Sequence, residues 1–284
     1  MKAPFAYYGG KSRLAGVIAS LMPAHSEYIE PFFGSGAVLF AKTPATHEII
    51  NDLDGAVVAF FRQMRDNLDE LTRVCALTPH ARDEFDQANL DEDLPELEVA
   101  RRFWVRVNQS FAKTAGRQTG WSVTTSRTQS VPASVFGRLG RFAGCAERLA
   151  RVTIESCDAV DLVDRLATAR TVVYVDPPYL AATRMARRDR GGRTADYRCD
   201  MGGEPEHRRL AEALHATAAT VLLSGYRSDL YDDLYGDWHQ VAIDVVAHSS
   251  NAQTSTRSGR TEVIWSNRPL TTAARLFDDL EVIA

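Results

Sequence analysis

The four residues Asp176-Pro177-Pro178-Tyr179, which close the apolar run Val173-Tyr174-Val175, join a carboxylate, a rigid turn and an aromatic ring. Two successive prolines cannot extend a central strand, because neither has the N–H that a ladder needs. The run must therefore stop and present Asp176 and the ring at its carboxyl end, where ligands bind in open α/β sheets. That set suits chemistry on an amino group attached to a flat base. Such an amine is a poor nucleophile because its lone pair is delocalised into the ring. A carboxylate (Asp176) and a backbone carbonyl (Pro177) accepting its two hydrogens would localise the pair, and Tyr179 would give the base a face to stack on.

A second set reads as a cradle for a nucleotide or cofactor. Tyr28-Ile29-Glu30-Pro31-Phe32-Phe33-Gly34-Ser35-Gly36-Ala37 is a strand that ends in Gly-Ser-Gly and runs straight into a helix, so the backbone can approach a ligand that a side chain would otherwise block. It is not the phosphate-binding GxGxxG: Leu39 stands where the third glycine belongs, and no Gly-Lys-Ser/Thr follows. Farther on, the next strand ends at Asn51-Asp52-Leu53-Asp54. A carboxylate there accepts hydrogen bonds from ribose hydroxyls. Asp52 is the choice for that role and Asp54 for the helix N-cap, although the two roles can be exchanged. No HExxH, cysteine cluster or Ser-His-Asp arrangement competes. Cys75, Cys145, Cys157 and Cys199 are scattered without a CxxC pair, which predicts reduced thiols and no metal.

The elements that must position these residues follow from periodicity. Strand signals at 28–30 and 47–51, with helices after Lys11 and up to about Lys42, give the β-α-β order of a parallel sheet. From Asp54 the pattern changes to helical spacing in Val57, Val58, Phe60, Phe61, Met64, Leu68 and Leu71, with further helices at 81–88 and 94–111. Residues 118–127, with Gly120 and Trp121, suit a small hairpin or extended loop. Strand signals resume at 151–155, 171–175, 221–224 and 262–266. The reading is therefore a catalytic domain formed by 1–61 and 151–284, interrupted by a mainly helical insertion over 62–150.

Composition sets the outer limits. A chain of 284 residues, 45% of them apolar, can bury a full core. No apolar stretch approaches the roughly 20 residues of a bilayer span, and the start MKAPFAYYGGK has no long apolar segment, so neither a membrane helix nor a signal peptide is expected and a cytoplasmic location is. The net charge of −4 gives no support to binding a polyanion. Arginines nevertheless gather at Arg101, Arg102 and Arg106, and again at Arg184, Arg187, Arg188, Arg190, Arg193 and Arg198, which allows a local basic face.

Taken in order, these motifs resemble those of the DNA adenine methylase family, the alpha-class adenine-N6 methyltransferases, over nearly the whole chain. Tyr7-Tyr8-Gly9-Gly10-Lys11 is similar to the family's first motif, whose aromatic residue and lysine line the methionine end of the cofactor, and EPFFGSG is similar to the cofactor loop. The resemblance implies a Rossmann-like α/β sheet flanked by helices, with a target-recognition domain inserted. It implies S-adenosylmethionine bound by Tyr7, Lys11, Glu30, Pro31, Phe32, Gly34, Ser35, Gly36 and Asp52, with Asp158 contacting the cofactor's adenine, and catalysis by Asp176, Pro177, Pro178 and Tyr179. The implied reaction is direct methyl transfer to N6 of a flipped adenine, as in restriction-modification or related systems. The segments VLLSGY at 221–226 and TEVIWSN at 261–267 resemble the family's closing strands and read as structural.

The implied partner is double-stranded DNA, read by a chain expected to be a monomer. Lys113, Arg117, Gln118, Trp121 and Arg127 in the insertion, with Arg187 and Arg188 after the catalytic turn, are the candidate contacts. Rival readings are cytosine N4 methylation, which usually has Ser in place of Asp176, methylation of RNA or of a protein glutamine amide, and a catalytically idle DNA-binding module.

Overall fold

The computed structural model describes residues 1–110, 115, 120–123, 130–180, 198–201, 203–245 and 260–270. Within them, β1 (Glu27–Glu30), β2 (His47–Asn51), β3 (Val152–Glu155), β4 (Thr171–Val175), β5 (Thr220–Gly225), β6 (His239–Val245) and β7 (Arg260–Ser266) form one sheet in the order β3-β2-β1-β4-β5-β7-β6. The first five are mutually parallel, and β7 runs antiparallel to both of its neighbours. The fold is thus the expected α/β class, Rossmann-like, with helices on both faces.

Period-two alternation sorts two cores across the strands. On β4, Val172 and Tyr174 face one core while Val173 and Val175 face the other; on β5, Leu222 opposes Val221 and Leu223 in the same way. The first face packs on α1 (Ala15–Leu21), α2 (Ala37–Ala41) and α3 (Gly55–Asp66), and the second on α9 (Ala159–Leu166), α10 (Glu204–Ala216) and α11 (Asp229–Tyr235). Asp54 caps α3, accepting from the Ala56 N–H at 3.0 Å, as the sequence predicts. The strands foreseen at β1 to β5 and at β7 are all present. The sequence does not point to β6; Val241 and Ile243 point into the first core while His239 and Asp244 are exposed.

Between β2 and β3 the described residues are mainly helical: α4 (Leu68–Leu77), α5 (Arg82–Gln87), α6 (Glu96–Gln109), α7 (Val131–Leu139) and α8 (Phe142–Leu149) follow α3. These helices share the first core with the sheet. Phe60 of α3 stacks on Trp104 of α6 with centroids 6.1 Å apart, meets Phe142 of α8 edge-on at 5.7 Å, and meets Phe5 near the amino terminus at 5.2 Å. Phe5 in turn touches Tyr7, and Tyr7 touches Phe103 of α6. The amino-terminal loop is therefore held by the helical segment as much as by the sheet.

Candidate active site

The strand order reverses between β1 and β4, and a cleft opens at their carboxyl ends. Its cavity is about 190 Å³, where a single water needs roughly 10–15 Å³ by such a measure. A ligand of several parts fits. Tyr7 to Lys11, Glu30 to Ser35, Asp52, Asp158, Asp176 and Pro178 all line it, so the topology brings together the cradle, the acid after β2 and the Pro-Pro turn that lie far apart in the chain.

The cradle's shape depends on glycine. Gly36, at φ +69°, begins α2, and a Cβ there would lie 2.2 Å from Phe33 Cζ. Across the cleft a Cβ on Gly10 would meet the Tyr7 carbonyl oxygen at 2.9 Å. The walls are consequently backbone, with the Ser35 hydroxyl buried between them and without a partner among the described residues. Gly36 lacks the side chain that would shift Phe33, which is why this turn can close so tightly.

Asp52 completes the floor. Its carboxylate accepts from the Gly34 N–H at 2.8 Å and from the Asp54 N–H at 2.9 Å, which fixes its plane and leaves one further lone pair on each oxygen. Burial, reinforced by the neighbouring Asp54 carboxylate and opposed by those two N–H groups, pushes its pKa up to about 7. Glu30, buried and accepting from the Tyr28 hydroxyl at 2.8 Å, is pushed up to about 8, chiefly by burial, with Asp176 adding to the effect. Asn51 is a site residue that the sequence reading did not single out. Its side-chain amide donates to the Pro31 carbonyl at 2.9 Å and the Cys157 carbonyl at 3.0 Å and accepts from the Cys157 N–H, tying the cradle to the loop before α9. An asparagine ending a strand beside an acid was the signal available.

Asp158 lines the cleft, but its carboxylate is already engaged. It caps α9 through the Val160 and Asp161 N–H groups and pairs with Arg209 of α10 at 2.9 Å. The hydrogen bond from Arg209 holds its pKa below the usual carboxylate range.

At the end of β4 the Lys11 ammonium donates to both oxygens of Asp176, at 2.7 and 2.8 Å, and to the Gly9 carbonyl at 3.1 Å. It also reaches the Tyr179 hydroxyl. The lysine expected at the methionine end of a cofactor thus lines the cleft with its charge on the carboxylate of the Pro-Pro turn. Burial works against that charge, yet Asp176 and Glu262 more than offset it and hold the Lys11 pKa above the usual lysine value. Asp176 is shifted upward by burial despite the ammonium and the Tyr179 hydroxyl. Tyr179 packs edge-on against Tyr226 with centroids 4.8 Å apart and donates its hydroxyl to Glu262. Glu262, on β7, belongs to a segment that reads as purely structural in the sequence, and the fold puts it in the site.

Of the candidate DNA contacts, Trp121 is described: it is half-buried against α5 and α6, its indole N–H donates to Gln109 at 3.2 Å, and its ring lies under Arg82 and beside His80. Lys113, Arg117, Gln118, Arg127, Arg187 and Arg188 lie outside the described residues. The Arg101 and Arg102 charges are matched locally by Glu84, Glu92 and Glu98, and Arg106 lies over the Phe85 ring. That group is a self-neutralised helix face. Among the described residues there is no cluster of three or more His, Cys, Asp or Glu able to hold a metal ion, and no helix is long and apolar enough to cross a membrane.

Comparison with known proteins bears on the family. Residues 7–249 match the profile of the D12 class N6 adenine-specific DNA methyltransferases. The Type II methyltransferase M1.LlaDCHI of Lactococcus lactis subsp. cremoris is 27% identical over 91% of this chain and 93% of its own. The Type II methyltransferase M.MjaIII of Methanocaldococcus jannaschii is 23% identical over 80% of this chain and 85% of its own. Among solved structures, an rRNA methyltransferase, aviRa of Streptomyces viridochromogenes, aligns over 92% of this chain and 86% of its own with 16% identity and a TM-score of 0.33, a likeness too loose to bear on substrate.

Proposed function

Because the chain belongs to the D12 class N6 adenine-specific DNA methyltransferase family, we propose that it methylates N6 of adenine at a specific sequence in double-stranded DNA, on a base turned out of the helix, with S-adenosylmethionine as donor. The observation that carries this reading is the half-buried Asp176 carboxylate, paired with Lys11 at the carboxyl end of β4 and opening on the same cleft as the glycine cradle and Asp52. The cradle suits a nucleoside-bearing donor: Asp52 keeps a lone pair on each oxygen for ribose hydroxyls, and the Ser35 hydroxyl, without a partner among the described residues, lines the rest with Tyr7 and the backbone around Gly34. When bound, S-adenosylmethionine supplies a methyl carbon activated by its sulfonium.

The protein's own part is to prepare the amine. Asp176 and the Pro177 carbonyl accept its two hydrogens, Tyr179 stacks on the base, and Asp176 holds the proton that leaves the nitrogen on transfer. The cost of extruding the base, a few kcal/mol, is offset by this stacking and hydrogen bonding. We place sequence recognition in the insertion over 62–150, with Lys113, Arg117, Gln118 and Arg127, joined by Arg187 and Arg188, as contacts to DNA.

The test is to incubate the protein with duplex DNA and donor labelled in the methyl group, digest the DNA, and identify the product by mass. N6-methyl-2′-deoxyadenosine is expected; labelled N4-methyl-2′-deoxycytidine, labelled RNA or protein in parallel reactions, or no labelled product at all would each replace this reading by the corresponding rival.

A further inference from the structure

We propose that Glu262 is a positioning residue for the catalytic turn, holding the Tyr179 phenol and offering Lys11 a second seat so that the ammonium withdraws from Asp176 when the amino group of the base arrives. This rests on the reading of Asp176 as the acceptor of that amino group.

Glu262 stands where the strand pattern calls for an apolar side chain. Its neighbours Val263, Ile264 and Trp265 are all core residues, and Glu262 is itself only 3% exposed. A carboxylate buried in a strand is costly unless charge and hydrogen bonds compensate it. Here both compensating groups belong to the site: the Tyr179 hydroxyl donates to Oε1, and Lys11 Nζ lies 3.4 Å from the same oxygen.

The lysine is oversubscribed. An ammonium has three N–H bonds, and Lys11 faces Asp176 Oδ1, Asp176 Oδ2, the Gly9 carbonyl, the Tyr179 hydroxyl and Glu262. With both of its oxygens on the cation, Asp176 is a weakened acceptor for a neutral amine. Moving the ammonium toward Glu262 restores it without leaving the positive charge unpaired. The groups facing Glu262 and Asp176 are Lys11, Tyr179, Tyr174, Tyr226, Tyr231 and Glu30, so carboxyl groups outnumber the one lysine. The Tyr179 hydroxyl donates to Glu262, and this bond also fixes the ring that is to stack on the base.

The experiment compares wild type with Glu262→Gln, which keeps the shape and an acceptor for Tyr179 but removes the charge, and with Glu262→Asp, which keeps the charge. The expected result for Glu262→Gln is a single-turnover transfer rate lower by about 10- to 100-fold, the value of one charge-assisted hydrogen bond, with donor and DNA affinities within about twofold of wild type. Glu262→Asp should recover part of the rate. An unchanged rate in Glu262→Gln, a loss that falls on affinity instead, or an Asp variant no faster than Gln would overturn the proposal. Should Glu262→Gln fail to fold by thermal melting, Tyr179→Phe cuts Glu262 from the turn and is read instead; slower transfer at unchanged donor affinity is expected, and a wild-type rate overturns it. A wild-type protein that leaves DNA unmethylated would defeat the underlying reading of function, a result distinct from these.

Discussion

Removing the Asp176 carboxylate while keeping the turn separates chemistry from binding. Asp176→Ala leaves Lys11 with Glu262, Tyr179 and the Gly9 carbonyl as partners, so the fold and the cradle around Gly34 and Asp52 should survive. Single-turnover methyl transfer should fall by about two to three orders of magnitude, the usual cost of losing one preorganised polar group aimed at the reacting centre, while donor affinity measured by calorimetry stays near wild type. Undiminished turnover would remove Asp176 from its proposed role. At this scale the sequence was most informative where backbone constraint is written into residue type: Gly-Ser-Gly and Pro-Pro announce their geometry, and they marked the cradle and the turn. Glu262 was invisible for the opposite reason. A single glutamate in a strand carries no mark of burial until the sheet has placed it beside Lys11 and Tyr179.

Ion pairing also ties elements to one another. Glu48 of β2 accepts from Lys42, just beyond α2, at 2.6 Å, and from Arg148 of α8, and all three side chains are largely buried. Burial works against the Glu48 charge, but hydrogen bonds from Arg148 and Lys42 hold its pKa below the usual value. Glu48→Ala would strand two buried cations and should cost on the order of 3–5 kcal/mol in urea unfolding; a loss below about 1 kcal/mol would show that water reaches the site. Elements whose period and boundaries agreed were legible, such as β4 with its run of β-branched and aromatic residues and α3 with its Asp54 cap. β6 was not, because Ala242 breaks the apolar/polar alternation of Gln240, Val241, Ile243 and Asp244 in an edge strand whose pairing with β7 is set by the rest of the sheet.

Over the whole molecule, the cleft gathers carboxyls that keep their protons longer folded than unfolded. Asp52 titrates near 7 and Glu30 near 8 in the folded chain, against 3.8 and 4.5 without it. An acid raised in this way holds its proton after the unfolded chain has released it. Folding is therefore penalised progressively as pH rises from about 4, and the penalty levels off above about 7 for Asp52 and 8 for Glu30, on the order of a few kcal/mol each. A donor carrying a sulfonium should relieve part of this, so its thermal stabilisation of the protein should be larger at pH 8.5 than at pH 6 in a melting assay; an equal or smaller shift at the higher pH would count against these two groups. The aromatic cluster of Phe5, Phe60, Trp104 and Phe142 has a different consequence. Grafting residues 62–150, the segment proposed to read DNA, onto a related enzyme would part Trp104 and Phe142 from Phe5 and Phe60, which stay behind. A working chimera must carry the amino-terminal strap and the first turns of α3 with it.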